Sequence, residues 1–325
     1  MRRAAAALFL GCVFLFAAPA ALAESVIRIG VLQFGTVNWA LDVIAHHGLD
    51  RAADIRIDAV ELAGTPATQI ALQAGQVDAI VSDWLWVSRQ RASGADWTFA
   101  PFSTAVGAVM VPKDSPIRSL TDLKGRRLGI AGSAIDKSWL ILRLAAQRNE
   151  GFDLEKAGSQ AFGAPPLLEE ELKSGRLDAV LTYWQFAARL EAEGMRRVLS
   201  VSDAVKSLGI SSDIPLVGYV MSERWAKANA AAVQGILRAR RQAIEILDGS
   251  DEEWRRIAPL TGARNEAELM RLRDAFRAGI PRHWGDRERA DVAQLYALLA
   301  NIGGEALVGP SRSLAPGTLF DGDRF

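Results

Sequence analysis

Cysteine is almost missing from this sequence, and its one copy, Cys12, lies in a segment that reads as a secretion signal. Arg2 and Arg3 precede the apolar run Ala4–Ala18, and Ala21-Leu22-Ala23 forms an A-x-A cleavage site before Glu24. The run is too short for a comfortable bilayer span, and no second run approaches that length. The two arginines lack a surrounding twin-arginine pattern, which points to ordinary secretion. Lipid attachment at Cys12 is the alternative, but Phe9-Leu10-Gly11 matches that signal poorly. Cleavage after Ala23 leaves a chain without cysteine, excluding disulfides, thiolate metal sites and cysteine nucleophiles. Two lobes of this size bury enough core without disulfides.

An excess of either charge is also missing. The 38 basic and 38 acidic residues become 36 and 38 once Arg2 and Arg3 are removed, a net charge of −2. That balance gives no support for nucleic acid or a membrane surface as partner. Histidine is scarce: His46 and His47 are adjacent on a helix and point different ways, and His283 is distant, so no metal site is expected. There is no G-x-S-x-G elbow, no H-E-x-x-H and no phosphate loop. No catalytic residue and no cofactor are expected.

What the chain does contain is a repeat. Ala71–Gly94 (ALQAGQVDAIVSDWLWVSRQRASG) returns as Glu171–Gly194 (ELKSGRLDAVLTYWQFAARLEAEG). Leu72, Gly75, Asp78, Trp84 and Arg89 match Leu172, Gly175, Asp178, Trp184 and Arg189. In each copy a helix ends at a Gly able to take positive φ, and an Asp turn follows. A brief apolar run (Ala79–Val81, Ala179–Leu181), short enough for a strand buried on both faces, leads to a new helix. Upstream, Arg28–Val31 echoes Arg127–Ile130 and Trp39 echoes Trp139. Two similar α/β lobes follow, with a ligand where their strand ends face each other. Asp78 and Asp178 precede their strands, at the wrong sheet end for chemistry, and are read as turn residues.

Along the chain, Val26–Val31 and Asp54–Glu61 read as strands, and Thr65-Pro66 starts a helix. Ser133 to Asp136 reads as a capping box opening another helix. From Ser222 the pattern is helical over about Ser222–Leu247, Asp251–Leu260, Asn265–Ala278 and Asp286–Asn301. The tail from Gly303, rich in Gly, Pro and Ser, is expected to be irregular.

This order of pieces resembles the periplasmic substrate-binding proteins of ABC importers, in the nitrate/sulfonate/taurine group that also includes binders of thiamine-pyrimidine precursors. IRIGVLQFG, LQAGQVDAIVSDW, SLTDLKGRRLGIAGSAIDKSWL, LLEEELKSGRLDAVLTYW and IPLVGYVMSERWAKAN carry the resemblance over roughly residues 26–247. It implies the two-lobe type II fold, each lobe a mostly parallel sheet flanked by helices, with further C-terminal helices. Implied bounds are a signal peptide over 1–23, first lobe over 24–112, second lobe over 113–212, and a return to the first over 213–325. The crossings are placed near Thr104–Lys113 and Ser212–Tyr219. The resemblance further implies a monomeric receptor in the periplasm that closes on a small solute and docks on an ABC permease.

Ligands in open α/β sheets sit beyond the carboxyl ends of the strands. The loops there offer Phe34, Gly35, Thr36, Asn38, Trp39, Asp83, Trp84, Ser133, Ala134, Tyr183 and Trp184 as ligand contacts. Trp84 and Trp184 are expected to face the ligand from opposite sides, whereas Trp39 and Trp139 either contact it or pack helix on sheet. Asp83 either pairs with a cationic or amide-bearing ligand or caps the helix starting at Trp84. Asp136 reads as a capping carboxylate, and Ser133 with the N–H groups of Ala134 and Ile135 as an anion site. Lys137 is expected to point to solvent. With few basic residues in reach, a heteroaromatic or cationic compound suits the site somewhat better than a sulfonate. Two other roles stay open: an enzyme on the same architecture acting on small aromatics, and a receptor reporting to a membrane sensor.

Overall fold

The repeat folds as two separate five-stranded sheets. The computed structural model describes residues 25–33, 35–211 and 213–325; the expected secretion signal with Cys12 and the expected cleavage site, Phe34 and Ser212 lie outside the described residues. The first half contributes β1 (Ser25–Leu32), α1 (Val37–His47), β2 (Ile55–Leu62), α2 (Thr65–Gln73), β3 (Ala79–Ser82), α3 (Trp84–Ala92) and β4 (Trp97–Ser103). The middle contributes β5 (Gly107–Val111), β6 (Arg127–Ala131), α4 (Lys137–Glu150), β7 (Ser159–Gly163), α5 (Pro165–Lys173), β8 (Ala179–Tyr183), α6 (Trp184–Ala192), β9 (Arg196–Ser200) and α7 (Val201–Ser207). The remainder is β10 (Val217–Ser222), α8 (Glu223–Ala228), α9 (Ala230–Gly249), α10 (Asp251–Arg256), α11 (Ala258–Thr261), α12 (Glu266–Ala278) and α13 (Asp286–Val308).

Strand order is β2-β1-β3-β10-β4 in one sheet and β7-β6-β8-β5-β9 in the other. The two orders correspond position by position. In each, three strands of the repeat run parallel, and the fourth is an antiparallel strand brought in by a crossing segment. Gly107–Val111, expected in the first lobe, is that strand in the second: it lies between β8 and β9. Glycine permits both insertions. A Cβ on Gly107 would stand 2.2 Å from the Thr182 carbonyl oxygen, and one on Gly218 2.2 Å from that of Ala100. Any side chain there would push the inserted strand off its neighbour.

The repeated Arg and Asp hold equivalent places. Arg28 donates from its backbone N–H and guanidinium to Asp78 and reaches the Gly75 carbonyl at 3.1 Å. Arg127 does the same with Asp178 and the Gly175 carbonyl, at 2.9 Å. These carboxylates tie the turn before one strand to the start of its neighbour, far from the cleft.

C-terminal helices brace both lobes. α9 packs on α1, α12 on α6, and α13 lies against α3 and α4. Helix α13 runs to Val308, past the expected end, with a break at Gly304. The tail beyond it is ordered onto the first sheet: Phe99 donates to the Thr318 carbonyl and accepts from Phe320 N–H, both at 2.8 Å. That pairing covers the open edge of β4. Asp323, fully buried, anchors the tail to the buried guanidinium of Arg240 at 3.1 Å. No described helix is long and apolar enough to cross a membrane.

Candidate ligand cleft between the lobes

A parallel strand followed by a helix puts its carboxyl end and the helix start at the same edge of the sheet. Five such helix starts meet at one cavity of about 220 Å³ between the sheets. Thr36 and Val37 belong to α1, Thr65 and Thr68 to α2, and Asp83 to the start of α3. From the second lobe come Lys137 and Ser138 of α4, with Tyr183 to Gln185 at the start of α6. Phe102, Val106 and Val217, on or beside the crossing strands, complete the wall.

Lys137 is the cation of this cavity. Its side chain is only 19% exposed, and Nζ stands 3.5 Å from Oδ2 of Asp83 in the opposite lobe. Burial pushes its ammonium down, but the charges of Asp83 and Asp136 outweigh this and hold its pKa above the ordinary lysine value. Lys137 is therefore charged throughout the neutral range. Asp83 is committed elsewhere, accepting from the Trp86 N–H at 2.8 Å as the cap of α3. Burial, with help from Asp136, raises the Tyr183 phenol, so it stays a neutral donor. Asp83 and Asp136 are each engaged by a capping N–H of their own helix, which leaves the Lys137 ammonium and the uncapped N–H groups of the helix starts to set the sign. Each helix start carries roughly +0.5 of partial charge near its first turn, so the cavity favours an anion.

Of the eleven sequence-derived residues, Gly35, Thr36, Asp83, Tyr183 and Trp184 line this cavity. Phe34 lies outside the described residues. Asn38 and Trp39 line an adjoining compartment; Trp39 is nevertheless buried, edge-on to Trp184 and Trp254 at 5.7 Å each. Trp84 is misplaced by the sequence reading. It is fully buried inside the first lobe, donates to the Pro215 carbonyl at 2.9 Å, and packs near Tyr296 of α13. Trp139 is also fully buried. Ser133 and Ala134 are exposed and line neither compartment. The reason is that α4 begins three residues later than expected: Ser133 turns back to accept from Asp136 N–H, and Asp136 caps the helix through Ser138 N–H. The anion-facing turn thus belongs to Lys137 and Ser138. Lysine directly after a capping Asp at a strand's carboxyl end was the signal that could have found it.

The adjoining compartment, about 760 Å³, shares Val31, Gly35, Thr36 and Gln185 with the first cavity. It extends between α1 and β2 of the first lobe, α6 of the second, and the Pro259–Gly262 turn.

Two α/β sheets exchanging strands through two crossings, with helix starts turned into the cleft between them, define a two-lobe binding protein of the type II periplasmic fold. The chain belongs to the NMT1/THI5-like family, whose profile matches residues 43–250. It is 24% identical over 227 residues to a protein of Escherichia coli (strain K12) named for binding aliphatic sulfonates, covering 68% of this chain and 67% of that one. Among solved structures, the fold is shared with the E. coli periplasmic aliphatic sulphonate binding protein SsuA (TM-score 0.73, 19% identity, 93% of this chain and 94% of that one). It is shared as well with the alkanesulfonate-binding protein SsuA of Xanthomonas axonopodis pv. citri bound to MOPS (TM-score 0.68, 21% identity, 91% and 98%).

Proposed function

We propose that this chain is a periplasmic receptor, exported by a cleaved signal peptide, that captures a small organic anion between its lobes and hands it unchanged to an ABC permease. The observation that carries the reading is Lys137, a charged ammonium held in a cavity onto which five helix starts converge. The Ser138 hydroxyl, Thr36 and Tyr183 add neutral donors suited to the several oxygens of one anionic head. Trp184, partly exposed on the cavity wall, offers a face for the organic part. Relatives named for sulfonate binding support this class over the cationic one favoured by sequence alone. Titrating alkanesulfonates, alkylamines and small heteroaromatics into the purified protein, with recovery of the solute, tests it. Saturable binding of the sulfonates with the solute recovered intact is the expected outcome. Preference for the amines, or turnover of the solute, would overturn it.

A further inference from the structure

The adjoining compartment differs from the first cavity in chemistry. Asp42, Asp50 and Glu61 line it against a single cation, Arg189. Arg189 is taken by Glu268, 3.1 Å away, and by the Thr261 carbonyl at 2.7 Å. Asp42 is neutralised by Arg256. Among the described residues, neither Asp50 nor Glu61 has a cationic partner. Asn38 adds an acceptor. Its amide nitrogen is aimed at the carbonyls of Leu32 and Gln33, at 3.0 and 3.4 Å, which fixes the orientation of the group. Its Oδ1 is buried and receives no hydrogen bond among the described residues. A buried acceptor without a donor costs free energy until something supplies one.

We propose that this compartment is a second subsite that takes a protonated amine at the far end of the ligand, so that the preferred solute is a long ω-amino organic anion. The inference rests on the anionic head being held at Lys137. Strand register sets the reach. Glu61 is directly opposite Val31 on one side of β1, and β3 flanks the other side through the Gly30–Ile80 pair. Lys137 meets Asp83, the residue after β3, and two strand spacings of 4.7–4.9 Å separate β3 from β2, so the two ends of the ligand lie at least about 10 Å apart. A chain of several carbons spans that gap and a two-carbon spacer does not. Ile57 and Ala59, on the same face of β2 as Glu61, give the intervening methylenes an apolar floor.

Two sulfonates of equal chain length test this: hexanesulfonate and its terminal-amine derivative, each titrated calorimetrically into wild type, Glu61→Gln and Lys137→Met. The amine derivative is expected to bind wild type roughly fivefold tighter or more, as an ion pair not fully screened by water allows. Glu61→Gln is expected to remove most of that advantage while leaving hexanesulfonate unchanged, and Lys137→Met to weaken both compounds. Equal affinity of the two sulfonates for wild type, or an amine advantage that survives Glu61→Gln, overturns the second subsite alone. Failure of both sulfonates to bind wild type overturns the anion reading and this inference with it.

Discussion

The Lys137 ammonium meets the Asp83 carboxylate across the cleft, 3.5 Å apart, each belonging to the first turn or cap of a helix in a different lobe. At that distance the contact is long for a charge-assisted hydrogen bond. Lys137 keeps donors free for a ligand, and Asp83, fixed by its capping bond, restrains the ammonium without satisfying it.

Asp83→Asn separates the two charges of this pair. Asparagine caps a helix about as well as aspartate, so the fold is expected to hold. Without the competing carboxylate, an alkanesulfonate is expected to bind several-fold tighter than to wild type. Calorimetric titration checks the sign; a weakened sulfonate would mean that Asp83 itself serves the ligand.

The strand-end rule pointed to Gly35, Thr36, Asp83, Tyr183 and Trp184, and the repeat made two lobes and the turn role of Asp78 and Asp178 legible. It misled where equivalent residues meet different neighbours. Trp84 and Trp184 occupy the same place in each copy, but α13 and the Pro215 segment close over Trp84 while Trp184 remains at the cleft. No pattern within the repeat encodes which lobe the distant C-terminal helix covers. Lys137 was misread for a similar reason: only the facing lobe converts an ordinary first-turn lysine into a buried one. Phe102, in β4, and Val106, just before β5, were missed because nothing local marks an apolar residue of a crossing segment as cleft wall.

The two tryptophans should therefore behave oppositely on truncation. Trp84→Ala is expected to cost about 3–5 kcal/mol of stability, as for a fully buried aromatic. Trp184→Ala is expected to lower sulfonate affinity by about tenfold with a smaller stability loss. Paired urea unfolding and ligand titration read both quantities.

Asp323→Ala leaves the buried Arg240 guanidinium without its carboxylate. Breaking such a pair from one side typically costs about 3–5 kcal/mol, and the loss should appear in the unfolding midpoint. Arg241 also reaches Asp323, at 3.3 Å, and, being more exposed, recovers its hydration in the variant. Ligand affinity of the surviving folded protein is expected to be unchanged, since the tail lies away from the cavity.

Glu169 gives a pH signature. Burial pushes its carboxyl up to about 7, with Lys173 and Arg189 opposing and Glu193 assisting. Its folded pKa exceeds the ordinary carboxylate value, so the folded state binds the extra proton between about pH 4.5 and 7. Its contribution to stability is fully present below that window and is lost as pH rises through 7. Glu169→Gln is expected to flatten the decline of melting temperature between about pH 4.5 and 7. An unchanged slope would place the titration elsewhere.

Anion capture in this cleft depends first on Lys137. Calorimetric titration of hexanesulfonate into wild type and Lys137→Met, in the same low-salt buffer, measures its role directly. Losing hydrogen bonds from a charged donor to an anion costs about 1.5–3 kcal/mol, so the variant is expected to bind on the order of tenfold to a hundredfold more weakly. Equal affinity in the two proteins would contradict an anion held at Lys137, and with it the assignment of the cleft.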